Sequence, residues 1–117
     1  MTMSVEQALA LPERTRFSLK CLRDDGTEPE VVFRRPKLVE WKGYYSALGQ
    51  STTEFSLLCA GEALAKSCCL THDAQALGQM FEENFGFMKL VTKVFLVKWA
   101  RYDGLDEKKA TSPTPQT

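Results

Sequence analysis

The chain has 117 residues, 44% of them apolar and 26% charged, which is ordinary for one globular domain. Its 15 Lys and Arg residues balance its 15 Asp and Glu residues, so the total charge gives no electrostatic footprint for nucleic acid or an anionic membrane. No apolar run approaches the roughly 20 residues of a membrane helix, and the N-terminus lacks the pattern of a secretory signal. We therefore expect a cytosolic domain that binds neither membranes nor nucleic acid.

The N-terminal part of the chain predicts a short helix and a β-hairpin. Ser4 and Gln7 fit a capping box, and Pro12 ends the helix that they open. Apolar and polar residues then alternate on both sides of a turn signal at 24–27, which predicts a hairpin over about 14–35. The apolar face consists of Phe17, Leu19, Cys21, Val31 and Phe33, and Val32 and Arg34 lie opposite.

Two helices are predicted next. The first follows Pro36, whose fixed φ suits a first helical turn. Its inward face is predicted to hold Leu38, Trp41, Tyr45 and Leu48. A capping box over 51–54 opens the second helix, which ends near Cys68 and carries small residues that would let another helix approach closely. Its inward stripe consists of Leu57, Leu58, Gly61, Leu64, Ala65 and Cys68.

Two more helices complete the pattern. Thr71 is predicted to cap the third, and Gly86 to end it. Its inward face is predicted to hold Ala74, Leu77, Phe81 and Phe85, with Met80 beside them and Glu82 and Glu83 facing water. The fourth helix, from about residue 87 to 102, is apolar over most of its circumference. At 100° per residue, one arc of it holds Phe95, Leu96, Trp99 and Tyr102.

This arc has two interpretations. Either all of it is core, or it meets another protein, because aromatic residues are the usual anchors of such contacts. We take the arc as the candidate partner-binding surface. The fold class predicted overall is α+β and mostly α, with a short helix and a β-hairpin packed on about four helices. We expect one domain over 1–103 and a disordered polar tail over 104–117.

Residues with catalytic or metal-binding potential are few. The cysteines are Cys21, Cys59, Cys68 and Cys69, and the single histidine is His72. Adjacent helix positions point in different directions, so the sequence favours buried thiols over a zinc site at Cys68, Cys69 and His72. It shows no Gly-rich phosphate loop and no motif of a general acid/base pair. We expect no catalytic residue, metal or cofactor; an enzyme using Cys68 or Cys69 is an alternative.

The order of motifs resembles a known family. The hairpin runs into an Arg-Pro-x-x-x-Glu-Trp entry, which consists of Arg35, Pro36, Glu40 and Trp41. A Cys-rich helix end, a polar break at 71–73 and a helix closing before Gly86 follow. Over roughly residues 4–100 the chain resembles the tail assembly chaperones of long-tailed bacteriophages. It departs from the family at Phe95-Leu96-Val97 and Trp99, where a more ordinary amphipathic helix is expected.

The resemblance implies a non-enzymatic chaperone in the host bacterial cytoplasm that is absent from the mature virion. Its implied partners are the tape measure protein, the tail tube protein and other copies of itself. The family commonly makes a longer product by a ribosomal slip near the end of the gene, which here would fall near Lys108-Lys109.

Two other classes of protein stay open. One is a small cytosolic adaptor or secretion-type chaperone that binds a helical partner. The other is a nucleic-acid-binding regulator that would use Arg34, Arg35 and Lys37, although nearby glutamates favour a solvated edge there.

Overall fold

The computed structural model describes residues 2–49 and 53–100. Its helices are α1 (Val5–Leu9), α2 (Leu38–Leu48), α3 (Glu54–Cys68), α4 (Ala74–Glu83) and α5 (Phe85–Phe95), and its strands are β1 (Arg16–Lys20) and β2 (Glu30–Arg34). A 3-10 turn (Glu13–Thr15) precedes β1, and a π-helical turn (Leu96–Ala100) continues α5. The protein is mostly helical, with a short N-terminal helix and a two-stranded hairpin packed on about four helices, which confirms the predicted fold class.

The predicted hairpin is confirmed, with β1 and β2 antiparallel. In its register Phe17 pairs with Phe33. The connecting turn is closed by Asp25, whose carboxylate accepts hydrogen bonds from the backbone N–H and the hydroxyl of Thr27 at 2.9 and 2.6 Å. Gly26 adopts a φ of 87°, a conformation that glycine takes without steric cost. The local turn chemistry therefore fixes the hairpin where the sequence indicated it.

The alternation predicted that Val32 would lie on the polar face of the hairpin, but the residue is fully buried. The segment between α3 and α4 runs along β2, where the carbonyl of Val32 accepts a hydrogen bond from Leu70 N–H at 2.8 Å. The N–H of Val32 donates to the hydroxyl oxygen of Thr71 at 3.2 Å. The hydroxyl of Thr71 is thus hydrogen-bonded to β2. Asp73 caps α4 instead, by accepting a hydrogen bond from Ala76 N–H at 2.8 Å. The predicted cap was two residues early.

The core lies between the hairpin and the helices α2, α3, α4 and α5. Its centre is aromatic, because the rings of Phe17 and Phe33 stack at 5.0 Å and both meet the edge of Phe95, at 5.0 and 5.5 Å. Edge-to-face contacts of this kind stabilise the fold beyond the contribution from burying the rings. The cluster attaches the hairpin to α5.

Helices α3 and α5 approach most closely at Gly61. A Cβ atom placed on this glycine would lie 2.6 Å from Cγ2 of Thr92, closer than any real contact. The small residues of α3 therefore allow a close crossing, as the sequence predicted. The position of α5 depends on this glycine.

The predicted inward face of α2 is rotated in the structure, whereas that of α4 is confirmed at its centre and wrong at its two ends. In α2 the buried residues are Tyr44 and Leu48, whereas Leu38 and Tyr45 are 70% and 51% exposed. The adjacent Tyr44 and Tyr45 fit helical periodicity almost equally well, and the sequence favoured the outer one. In α4 the buried residues are Leu77, Met80 and Phe81, while Ala74 and Phe85 are exposed.

The junction between α4 and α5 also differs from the prediction. Asn84, not Gly86, separates the helices, and its side chain accepts from Phe87 N–H at 3.0 Å to cap α5. Glu83 does not simply face water. Its carboxylate accepts two hydrogen bonds from Arg23, at 2.8 and 2.7 Å, and one from Asp24 N–H at 3.1 Å.

The capping predictions have mixed outcomes. The box of Ser4 and Gln7 is present with both of its hydrogen bonds. Thr53 caps α3 by accepting from Ser56 N–H at 3.2 Å, while Ser51 and Thr52 of the predicted box lie outside the described residues. Tyr102, Lys108-Lys109 and the predicted tail 104–117 also lie outside them.

Candidate partner-binding site

The structure separates the four residues of the predicted partner-binding arc. Phe95 is fully buried in the core, so its assignment to a partner-binding surface was wrong. Leu96 and Trp99 are each half-buried, and they line two different grooves. Tyr102 lies outside the described residues.

The π-helical turn explains this separation. The arc was drawn with a constant 100° between residues, which holds for an α-helix. From Leu96 to Ala100 the turn is π-helical, with hydrogen bonds from i to i+5 and a wider turn. Leu96 and Trp99, which share one side of an ideal helix, therefore line two different grooves here, whereas the ring of Phe95 stays 5.9 Å from that of Trp99.

The first surface is an aromatic groove between α2 and the π-helical turn, with a volume of about 580 Å³. It is lined by Leu38, Trp41, Lys42, Tyr45, Trp99 and Ala100. Five of the six lining side chains are apolar or aromatic, and one is cationic. The groove can hold a few large apolar side chains, and the charged residue among its described lining, Lys42, is positive.

Trp99 forms a fixed wall of the aromatic groove. Its indole N–H donates to the carbonyl of Arg14 at 3.2 Å, so the polar edge of the ring is satisfied by the segment before β1. The ring also packs 5.7 Å from Phe17 and 5.9 Å from Phe95, measured between centroids. Nζ of Lys98 lies 5.6 Å from the indole centroid, within cation–π range. One side of the ring is thus anchored by the core and the other is available to the groove.

Helix α2 supplies the opposite wall. The ring of Trp41 lies 5.9 Å from that of Tyr44, which is buried, and 6.3 Å from that of Tyr45, which is exposed. The aromatic contacts therefore continue from the core out to the groove. Leu38 stands one turn before Trp41 and is 70% exposed, so it adds apolar surface to this wall of the groove.

The second surface is the α3–α5 groove, with a volume of about 540 Å³. Its walls include Glu54, Leu57, Leu58, Leu90, Lys93 and Leu96. The floor is apolar, and the charged residues stand at the rim, where Lys89 forms an ion pair with Glu54 at 3.2 Å. The two grooves flank the last turns of the chain that the structure describes.

The basic cluster before α2 is tied into the fold. Arg34 donates to both carboxylate oxygens of Glu40, at 2.8 and 2.7 Å, and also to the carbonyl of Ser67 at 3.1 Å. Glu40 accepts a further hydrogen bond from Lys37 N–H at 2.8 Å, which caps α2. The hydrogen bonds from Arg34 are the main reason that the pKa of Glu40 falls to about 2. Arg34 therefore connects β2, α2 and α3, and this leaves Arg35 and Lys37 as the exposed cations of the cluster.

The surroundings of Cys68 and Cys69 do not favour a reactive thiol. Cys21 and Cys68 are buried, and burial raises the pKa of the Cys68 thiol to about 12. Burial also raises the pKa of the Cys69 thiol and lowers that of His72. A thiol with a raised pKa is a poor nucleophile at neutral pH. Within 2–49 and 53–100, no three His, Cys, Asp or Glu side chains are placed to hold a metal ion.

No protein-family model, curated protein or solved structure matches this chain. Over the residues that the structure describes, none of the helices combines the length and apolar character that a membrane span requires.

Proposed function

We propose that this chain is a non-enzymatic tail assembly chaperone of a long-tailed bacteriophage. It binds the tape measure protein and helps to recruit tail tube subunits around it. It acts in the cytoplasm of the host bacterium and is absent from the mature virion. Two lines support the proposal: the sequence resemblance described above and the aromatic groove, which is the observation that carries it.

The aromatic groove has the form of a site for an apolar helix face. Grooves of this kind receive amphipathic helices, whose apolar residues recur at i, i+3, i+4 and i+7. Tryptophan and tyrosine are enriched among the residues that contribute most to such binding. Trp41 and Tyr45 line one wall of the groove and Trp99 lines the other. A long helical client with apolar stripes is therefore a suitable ligand.

The positive charges near the groove indicate which residues should flank the apolar stripe of the client. Lys42 lines the groove, and Lys98 lies over the face of Trp99. Acidic residues beside an apolar stripe of the client would meet these two cations. We expect the preferred segments of the tape measure protein to be apolar stripes flanked by Asp or Glu.

The proposed function requires reversible binding that shields the apolar surface of the client from water. An uncovered apolar stripe on a long helix promotes aggregation, and a small protein docked on it removes that surface from water. Many copies along the client would keep it soluble until tail tube subunits replace them. The described residues offer two apolar grooves, which suits a protein that acts by reversible binding.

Two neighbouring residues provide a matched test. Leu38 and Val39 are both 70% exposed on α2, but only Leu38 lines the aromatic groove. The tape measure protein encoded by the same genome is co-expressed with the wild type, with Leu38→Glu or with Val39→Glu. We expect the wild type and Val39→Glu to co-purify with the client and keep it soluble. Leu38→Glu should lose most of both effects, because a carboxylate is placed in the apolar groove.

The outcomes separate the proposal from its alternatives. Equal client recovery with both variants would contradict a role for the aromatic groove. A complex of one chain with one client, measured by its mass in solution, would favour the adaptor or secretion-type chaperone instead. Several copies per client are expected of a protein that coats a long helix.

A further inference from the structure

We propose that His72 is a pH-sensitive switch for the connector 69–72, which joins α3 to α4. Neutral His72 holds the connector against the edge of β2, and protonation of its imidazole releases it. His72 is the only histidine of the chain, so a single side chain carries the switch. The inference does not rest on the proposed client, because His72 lines neither groove.

The connector extends the hairpin on the side of β2 that faces away from β1. Cys69 forms a β-bridge with Phe33, and Leu70 N–H donates to the carbonyl of Val32 at 2.8 Å. The carbonyl of Leu70 in turn accepts a hydrogen bond from Met3 N–H at 2.7 Å. The connector therefore lies between β2 and the N-terminal segment. Its release would uncover the backbone groups of β2, and an uncovered strand edge can pair with another extended segment.

One hydroxyl group connects His72 to β2. Oγ1 of Thr71 accepts a hydrogen bond from Val32 N–H at 3.2 Å and lies 2.9 Å from Nδ1 of His72. A hydroxyl has one hydrogen, and it can donate this hydrogen to Nδ1 only while that nitrogen carries no proton. Neutral His72 with its proton on Nε2 therefore completes a chain of hydrogen bonds that runs from β2 to the imidazole.

Protonation of Nδ1 reverses the last hydrogen bond of this chain. The oxygen of Thr71 must then accept from both Val32 and His72, and its own hydrogen loses its acceptor. The thiol of Cys69 also faces this hydroxyl. Because burial raises the pKa of Cys69, the group is a neutral thiol, which accepts hydrogen bonds only weakly. Protonation of His72 thus leaves a half-buried hydroxyl poorly paired.

The surroundings of His72 make its imidazole a weaker base. Burial is the main cause that lowers the pKa of His72, and the positive charge of Arg23 lowers it further, whereas Asp73 raises it. Arg23 is held in place by the carboxylate of Glu83, which accepts two hydrogen bonds from it at 2.8 and 2.7 Å. In a released connector the pKa of His72 would return to about 6.5.

The direction of the pH effect follows from this difference in pKa. The released connector binds a proton at a higher pH than the attached connector does, so a fall in pH from 7 to 5 favours release. The equilibrium constant for opening should rise roughly tenfold over this range. The carboxylates of Glu40 and Glu83 have pKa values of about 2, so they keep their charge in the same window.

Amide hydrogen exchange measures the opening directly. The full chain is followed by NMR at pH 5 and pH 7, with each rate corrected for the intrinsic exchange rate at that pH. The protection factor of Leu70 N–H, which bonds to Val32, should be roughly tenfold lower at pH 5. Cys21 N–H donates to the carbonyl of Pro29 within the hairpin at 3.1 Å and should keep its protection, so it is the internal control.

Two variants assign the effect to His72. The side-chain oxygen of asparagine can accept the hydroxyl of Thr71 as Nδ1 does, but it does not take up a proton in this range. In His72→Asn the amide of Leu70 should therefore be equally protected at pH 5 and pH 7. NMR titration of the single histidine should give a pKa below 6.5 in the wild type. Thr71→Val removes the hydroxyl and should bring that pKa closer to 6.5.

Three results would overturn the inference. One is a wild type in which Leu70 N–H is equally protected at pH 5 and pH 7. Another is a wild-type His72 that titrates at or above pH 6.5. The last is an equal loss of protection in His72→Asn, which would assign the pH effect to a different group. The first two need no substitution, so they test the switch even where a variant disturbs the connector.

Discussion

Two aromatic regions of this molecule have similar composition and opposite surroundings. Beneath the hairpin, Phe17 and Phe33 meet Phe95 and are almost completely buried. In the aromatic groove, Trp41 and Tyr45 are covered on one side only. The difference lies in what stands opposite: a hairpin covers the first region, and within residues 2–49 and 53–100 no element lies over the second. An apolar stripe therefore identifies a surface that needs a cover, but it does not say whether the cover comes from the same chain.

Truncation of one residue from each region should give the largest contrast. Phe95→Ala should lower the free energy of unfolding by about 3–5 kcal/mol, because it removes a buried ring from a packed cluster. Tyr45→Ala, at an exposed position, should change it by less than about 0.5 kcal/mol. Urea unfolding followed by circular dichroism measures both. Equal losses would mean that the aromatic groove belongs to the core.

A pair of glycines gives the next contrast. Gly61→Ala should lower the free energy of unfolding by about 1–3 kcal/mol, since its new methyl group meets Thr92 where α3 crosses α5. Gly43 lies in α2 with no atom near its missing Cβ. Gly43→Ala should therefore raise that free energy by up to about 1 kcal/mol through helix propensity. Urea unfolding measures both changes in free energy. Opposite signs are expected if the crossing of α3 and α5 depends on close contact at Gly61.

The ion pair at the base of α2 predicts a pH dependence. The pKa of Glu40 is about 2 in the folded protein against an ordinary value of 4.5, so its contribution is complete above about pH 4.5 and is lost as the pH falls towards 2. Glu40→Gln should lower the free energy of unfolding at pH 7 by about 2 kcal/mol, because Arg34 loses a charged partner. In this variant the loss of stability at acid pH that is due to Glu40 should disappear, while the loss that is due to Glu83 remains.

A solvent-exposed ion pair is the matched control. Glu62 forms an i,i+4 pair with Lys66 at 2.9 Å, and its side chain is 38% exposed. Glu62→Gln should change the free energy of unfolding by less than about 0.5 kcal/mol. If the two glutamine variants behave alike in urea unfolding at pH 3 and pH 7, the network around Glu40 does not fasten α2 to β2 and α3.

Local signals in the sequence located most of the fold. The cap at Ser4, the turn at 24–27 and the alternation around it act over a few residues, and the structure confirms each. The predictions that failed concern residues whose surroundings are set by segments far away in the sequence. Val32 is buried because a segment almost forty positions later runs beside it, and the same segment takes Thr71 away from its predicted capping role.

The candidate site was predicted only in part, for two physical reasons. The helical angle changes in the π-helical turn, so Leu96 and Trp99 could not be placed by a constant rotation. Phe95 was misplaced because the sequence does not show that the hairpin covers it. The second wall of the aromatic groove, at Leu38 and Tyr45, was missed because exposed and buried apolar faces have the same periodicity. The one available signal was the adjacent pair Tyr44-Tyr45, which cannot both face inward.

The central claim is that the aromatic groove binds the tape measure protein, and site-specific photo-crosslinking tests it most directly. A photoreactive amino acid replaces Tyr45, inside the groove, or Val39, outside it on the same helix. Each variant is co-expressed with the tape measure protein of the same genome and irradiated. The account predicts a strong crosslink to the tape measure protein from position 45 and little from position 39. A crosslink of equal strength from both positions, or from position 39 alone, would contradict it.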